Sequence, residues 1–212
     1  HTQRRRQRQM CIRDRFKSLS ASSAALDPDV YESSEVGVKV AISDDLSLTA
    51  AFFESEQTVA SKDDVTGEDV DIKGLTVDGF EAELKGNLTD KFSLVAGFTA
   101  MDGETSSGGE PREIPDQMLT LYGTYEISDK AGVAFGFTKQ GESNIKNNKP
   151  DLILPSYTRF DMAAYYNISD DLVLRFNVEN LTDELYFPHS HSTHQASVGE
   201  EKNVRVSISK KF

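Results

Sequence analysis

Three histidines crowd one short stretch, His189-Ser190-His191-Ser192-Thr193-His194. Imidazoles at such spacing can bind Cu or Zn, or ligate a haem iron. No carboxylate at fixed spacing and no Cys accompanies them, so a closed metal site is not specified. The plainer reading is a polar loop whose imidazoles hydrogen-bond to neighbouring loops or to a bound ligand. His189, His191 and His194 are therefore the candidate ligand-binding residues, and the sequence calls for no catalytic residue, resident metal or cofactor.

Other chemistry is thinner. The acidic stretch from Glu54 and Glu56 to Asp71 can attract a cation, but reads first as a solvated loop. Asn87-Leu88-Thr89 and Asn180-Leu181-Thr182 match glycosylation sequons, yet the first falls in a turn and the second at a strand end. There is no phosphate-cradling loop and no convincing nucleophile–base pair.

Such groups need a scaffold, and composition narrows it. No run reaches the roughly 18–20 apolar residues of a membrane helix, which excludes helical spans. A mean hydropathy of -0.47 and a hydrophobic fraction of 37% leave soluble, disordered and β-barrel chains open. A barrel strand needs only about 9–11 residues with every second one apolar, so it can be polar in bulk.

Residues 1–15 stand apart. They hold six of the ten Arg, the only Cys and one of the four His, and carry a formal charge of +5 within a total of -12. A basic arm for nucleic acid is one reading. The segment has no apolar core of a signal peptide, and its composition marks it as foreign to the rest. It is expected to be non-native and to stay off the fold, and no nucleic-acid partner is expected.

A short pattern then recurs four times: Ile42-Ser43-Asp44-Asp45-Leu46, Leu88-Thr89-Asp90-Lys91-Phe92, Ile127-Ser128-Asp129-Lys130-Ala131 and Ile168-Ser169-Asp170-Asp171-Leu172. Ser, Thr and Asp hydrogen-bond their own backbone and favour tight turns. Alternating residues flank each copy, which predicts four hairpins. Val36, Val38 and Val40 share one face, as do Leu46, Leu48, Ala50 and Phe52. The same period of two runs through Phe80–Lys85, Phe92–Thr99, Leu119–Ile127, Val133–Phe137, Arg159–Ile168, Leu172–Glu179 and Asn203–Ile208. Nine strands result.

A soluble β-sandwich also alternates, but its strands are usually about 5–6 residues. These are longer. Short turns also alternate with long polar connections near 56–70, 102–114, 142–155 and 182–200. Short turns at one rim and long loops at the other describe an outer-membrane barrel, with the long loops outside the cell. The fold class is thus all-β, an antiparallel up-and-down transmembrane barrel. Nine strands do not make the even count usual for bacterial barrels, so the wall is expected to be incomplete and the missing part to lie upstream. Within it, Tyr157, Tyr165, Tyr166, Tyr186 and Phe187 read as interface girdle or lumen packing before they read as a ligand box.

Particular residues carry a resemblance. Leu154-Pro155-Ser156-Tyr157-Thr158-Arg159-Phe160-Asp161, then Asn177-Val178-Glu179-Asn180-Leu181-Thr182-Asp183, then Asn203-Val204-Arg205-Val206 running to Phe212, follow one another in order. Tyr31, Glu35, Gly37 and Lys39, Gly79-Phe80-Glu81 and Ile114-Pro115-Asp116 precede them. The set resembles the C-terminal part of the barrel of TonB-dependent siderophore receptors, over roughly residues 26–212. There are two departures. Lys210 stands where an apolar or aromatic residue is usual two before the final Phe. Gly199-Glu200-Glu201-Lys202-Asn203 lacks the usual Pro-Arg.

The resemblance implies a barrel of about 22 strands with a plugged lumen, in the outer membrane of a Gram-negative cell. Residues 16–35 would be an extracellular loop remnant and 36–212 the C-terminal strands, with no plug domain in this chain. The implied function is energised uptake of a ferric siderophore, not catalysis. The implied partners are that iron complex, outer-membrane lipid and lipopolysaccharide, and the TonB energising complex, reached through the missing N-terminal region. Haem or other metal-complex uptake, a passive porin and an outer-membrane enzyme remain as alternatives.

Overall fold

The computed structural model describes residues 5–8, 29–62, 66 and 69–211. Its strands run β1 (Arg5–Arg8), β2 (Val30–Ala41), β3 (Leu46–Lys62), β4 (Asp69–Thr89), β5 (Phe92–Thr105), β6 (Gln117–Ser128) and β7 (Ala131–Gln140). Two short strands follow, β8 (Ser143–Asn144) and β9 (Ile153–Leu154), then β10 (Tyr157–Ser169) and β11 (Leu172–Glu179). The last connection holds β12 (His189–Ser190) and β13 (Ala196–Ser197) before β14 (Asn203–Lys210). One antiparallel sheet takes the order β1-β2-β3-β4-β5-β6-β7-β10-β11-β14, and β8-β9 and β12-β13 form two-stranded ribbons. The nine long strands are the nine expected.

Directly opposed residues in an antiparallel ladder share a face, so the register tests the alternation. Val40 pairs with Leu48, Leu48 with Leu84, Leu84 with Ala96, Ala96 with Leu121, Leu121 with Phe137 and Phe137 with Phe160. The opposite face carries Lys39, Thr49, Glu83, Gly97, Thr120, Thr138 and Arg159 in a row of the same kind. Apolar side chains stand out on the sheet instead of converging on a core. Phe52 is 64% exposed and Ile208 66%, while Ala51, Leu154, Val178 and Tyr186 are the buried apolar residues among those described. A sheet with one apolar and one polar face fits lipid outside and water inside. Among the described residues, no helix is long and apolar enough to cross a membrane.

The four repeats form the four short turns. Thr89 Oγ1 accepts from the backbone N–H of Phe92 at 3.0 Å, Ser128 Oγ from that of Lys130 at 3.3 Å, and Ser169 Oγ donates to Asp171 Oδ1. A register shift precedes three of the turns, at Asn87/Thr89, Glu126/Ser128 and Asn167/Ser169. The fourth residue of every repeat also reaches sideways to the next hairpin. The carbonyls of Asp45, Lys91, Lys130 and Asp171 accept from the N–H of Asn87, Glu126, Asn167 and Lys211 at 2.9, 2.8, 2.7 and 2.8 Å. The rim is thereby stitched turn to strand. Gly86 lies against the first of these links. Its φ of +143° and the nearness of the Asp45 carbonyl leave no room for a Cβ.

Three boundaries differ from the sequence reading. β2 begins at Val30, so residues 30–35, expected as loop remnant, belong to the wall. β3 and β4 extend to Lys62 and from Asp69, well into the expected 56–70 loop. Arg5–Arg8 pairs with Glu32–Glu35 on the outer edge of β2, where residues 1–15 were expected to stay off the fold. An unpaired edge strand is a template for any passing segment, which accounts for that pairing. The rest of 1–15 and Phe212 lie outside the described residues. Lys210 pairs with Leu172, the first residue after the fourth turn.

Candidate functional site

The long connections gather at the rim opposite the turns, around one anchor in the wall. At the start of β10, Arg159 and Asp161 share the lumen face. The Arg159 guanidinium donates to Asp161 Oδ2 from Nε at 3.2 Å and from Nη2 at 3.0 Å. Its Nη1 donates to the Tyr186 hydroxyl at 3.1 Å. Tyr157 packs its ring against Tyr186, tilted by 32° with centroids 4.6 Å apart. Gly199 lies flat on the Tyr186 ring, which occupies the place of any Cβ there, and its N–H donates to the Tyr186 carbonyl at 2.8 Å.

Asp161 also reaches the chain that leaves β11. Its Oδ1 accepts from the Asn180 N–H at 2.8 Å. Asn180 is 1% exposed and takes φ +50°, a left-handed conformation Asn tolerates better than most. Its Nδ2 donates to the carbonyls of Glu184 at 2.9 Å and Glu200 at 3.0 Å, and its Oδ1 accepts from the Glu184 N–H at 2.9 Å. Both ends of the 180–202 loop are thus tied to one buried amide. Asp183 adds a second tie, accepting from the Lys202 N–H at 2.8 Å.

Three loops then lock together. The Asn148 side chain accepts from Thr105 Oγ1 at 2.8 Å and donates to Ser107 Oγ at 2.7 Å. Asn147 accepts from the Arg112 N–H at 2.8 Å, and Asn144 donates to Glu110 Oε2. Glu113, at φ +57°, donates its N–H to the Asn144 carbonyl at 2.8 Å. Its carboxylate accepts from the Ser190 N–H at 2.8 Å and pairs with Arg112 at 3.6 Å. Glu113 therefore joins all three loops at the foot of the histidine turn.

The three candidate histidines divide here. His191 Nδ1 and His194 Nε2 lie 3.0 Å apart, with the rings nearly perpendicular at 81°. A 3-10 turn over Ser192–His194 brings them together, because residues three apart eclipse in that geometry. His189 turns away and shares a 2.8 Å hydrogen bond with Ser197 Oγ across the β12-β13 ribbon. All three residues are exposed. Among the described residues, no set of three or more His, Cys, Asp or Glu converges to hold a metal ion. Of the aromatic residues singled out in the sequence, Tyr157 and Tyr186 pack together as the anchor's aromatic pair. Tyr165 instead covers Gly132 on the lumen face of the wall.

Sequence reasoning missed Glu113, Asn144, Asn147 and Asn148. They sit in stretches without periodicity, where hydrogen-bond roles leave no composition signal. Asn180 was visible only as part of a strand-end motif. Its signal was an Asn placed where the chain must turn out of a strand.

Comparison with known proteins identifies the wall. The family model described as TonB dependent receptor-like, beta-barrel, matches residues 14–181. A probable TonB-dependent siderophore receptor of Acinetobacter baumannii, PiuA, is 29% identical over 94% of this chain. The chain spans 29% of that relative's length. The crystal structure of the A. baumannii receptor PiuA superposes with a TM-score of 0.79 at 27% identity, over 92% of this chain and 30% of that one. The ferripyoverdine receptor of Pseudomonas aeruginosa, solved with ferripyoverdine bound, gives a TM-score of 0.76 at 28% identity over 91% of this chain and 28% of the other. With alternating lipid and lumen faces, short turns at one rim and long loops at the other, the chain belongs to the TonB-dependent receptor family of outer-membrane β-barrels, within the barrel itself.

Proposed function

We propose that this chain forms part of the wall and extracellular mouth of a receptor for energised uptake of a ferric siderophore. The observation that carries the reading is the similarity, over more than nine-tenths of the chain, to a protein named as a siderophore receptor. In this reading the interlocked loops bind the iron complex together with a plug supplied from elsewhere in the whole receptor. Rearrangement of that plug, driven through TonB, then admits the complex. The wall meets lipid and lipopolysaccharide on its outer face, and the protein acts as a transporter without catalysing a covalent step. The test is radio-iron accumulation from ferric catecholate, hydroxamate and pyoverdine-type siderophores in cells with and without the full-length receptor. Uptake of one class should depend on both the receptor and the proton gradient. Uptake that survives collapse of the gradient would identify a passive pore instead.

His189, His191 and His194 stand in this reading as ligand contacts at the mouth. Replacing all three by Ala should weaken binding of the transported siderophore by about tenfold, the worth of one or two hydrogen bonds. Barrel assembly should be unchanged, because exposed loop substitutions rarely destabilise a scaffold. Titration of the full-length receptor in detergent measures this, and an unchanged affinity would return the histidines to loop structure.

Residues 1–15 have no part in this function. Deleting them from the full-length protein should leave assembly and uptake at the level of the intact chain. Loss of the heat-modifiable folded band on gels would instead make the β1–β2 pairing a working part of the barrel.

A further inference from the structure

We propose that His191 and His194 form a two-nitrogen chelate for a borderline divalent transition-metal ion, Cu or Zn, at the extracellular mouth, independently of any siderophore. The two nitrogens are already 3.0 Å apart. Two imidazoles bound to one ion at about 2.0–2.1 Å each, with an angle near 90–109° between them, stand about 2.8–3.4 Å apart. The separation of the two nitrogens therefore fits a chelate, and an ion would take the place of the hydrogen bond between them once both rings turn toward it.

The turn that holds the pair is fixed on both sides. Closing it, the His191 N–H donates to the Gln195 carbonyl at 2.7 Å. The preceding residue, Ser190, is held by Glu113 of another loop at 2.8 Å. A chelate built on a fixed turn loses less conformational freedom on binding than one on a free tail. Imidazole pairs favour Cu and Zn over Mg and Ca, which take oxygen ligands. His189 faces Ser197 across the ribbon, so the protein supplies two ligands. The ion's remaining positions open to water, and a donor atom of an arriving molecule can take one of them.

The experiment uses full-length receptor purified in detergent, with Cu(II) as the probe. Electron paramagnetic resonance at one equivalent should show coupling to two nitrogens. His191→Ala and His194→Ala should each weaken Cu(II) binding by roughly tenfold or more, about 1.4 kcal/mol, with loss of the two-nitrogen signal. His189→Ala should leave both affinity and spectrum unchanged. Heat-modifiable gel migration confirms that every variant is folded. His191→Gln serves in place of any Ala variant that is not, because it keeps a polar side chain without the ring nitrogen. The proposal is overturned if the His191→Ala, His194→Ala double variant keeps the two-nitrogen spectrum, if His189→Ala abolishes it, or if wild type shows no nitrogen coupling. Siderophore uptake does not enter these readouts, so failure here and failure of the transport reading are distinguishable.

Discussion

Arginine at Leu174 should destabilise the full-length barrel by about 1–2 kcal/mol, because Leu174 faces lipid two residues beyond Leu172 at the turn, between the interface and mid-bilayer. Arginine at Val173, one residue away, should cost much less. Leu174 stands between Tyr166 of β10 and Ile208 of β14 in one outward row. Val173 stands between Asn167 and Ser209 on the lumen side, next to Arg175, which donates to Ser209 Oγ at 3.3 Å. An arginine there meets water and polar neighbours. Denaturant titration of receptor folded into phospholipid vesicles compares the two variants. Equal losses would mean that the faces are assigned wrongly, since a shift of one residue exchanges them along the whole strand.

The second large effect is expected at Asn180. Alanine there removes three side-chain hydrogen bonds and leaves the Glu184 and Glu200 carbonyls without that donor. It also puts an Ala at φ +50°. At about 1 kcal/mol for each bond, the sum is roughly 3 kcal/mol before any strain. Asn180→Gly tests the division, because it relieves the backbone and still loses the bonds. It should recover about 1 kcal/mol of the loss, the usual cost of a left-handed non-glycine residue. Limited proteolysis between Leu181 and Lys202 offers a separate readout. In the Asn180→Ala variant the 180–202 loop should be cut while the strands stay protected. A loop as resistant as wild type would show that Asp183 and the Glu113–Ser190 contact suffice to hold it.

The wall was legible because lipid and water write opposite demands on alternate residues. Val36 to Val40, Leu172 to Val178 and Val204 to Ile208 carry that signal without ambiguity. Legibility stopped where the apolar half of the alternation stopped. In β3 the outward residues after Phe52 are Glu54 and Glu56, and in β4 those before Phe80 are Asp78 and Thr76. The backbone ladder continues past the bilayer, but no hydrophobic period marks it, so these stretches read as loop. The turns were found through Ser, Thr and Asp, whose side chains act locally. Their sideways carbonyl links could not be found, since a backbone carbonyl has no residue type. At the mouth, the histidines were visible as a composition anomaly. Which two of them meet depends on a three-residue turn and on Glu113, more than seventy positions away in the chain.

The stitched rim has a consequence for how the gene can drift in length. One carbonyl in each short turn leaves its own hairpin and accepts from the neighbouring strand. Inserting or deleting a single residue within Ile42–Leu46 moves the Asp45 carbonyl away from Asn87 and disturbs the end of β4 as well as the β2-β3 hairpin. The same holds at Lys91, Lys130 and Asp171. Loops at the opposite rim meet through side chains as well as through backbone groups, and a side chain can be replaced where a carbonyl cannot. Length variants among natural relatives should therefore accumulate in the outer loops and be nearly absent from the four turns. A codon added to any turn should be a heavier lesion than several codons added to the connection between β7 and β10.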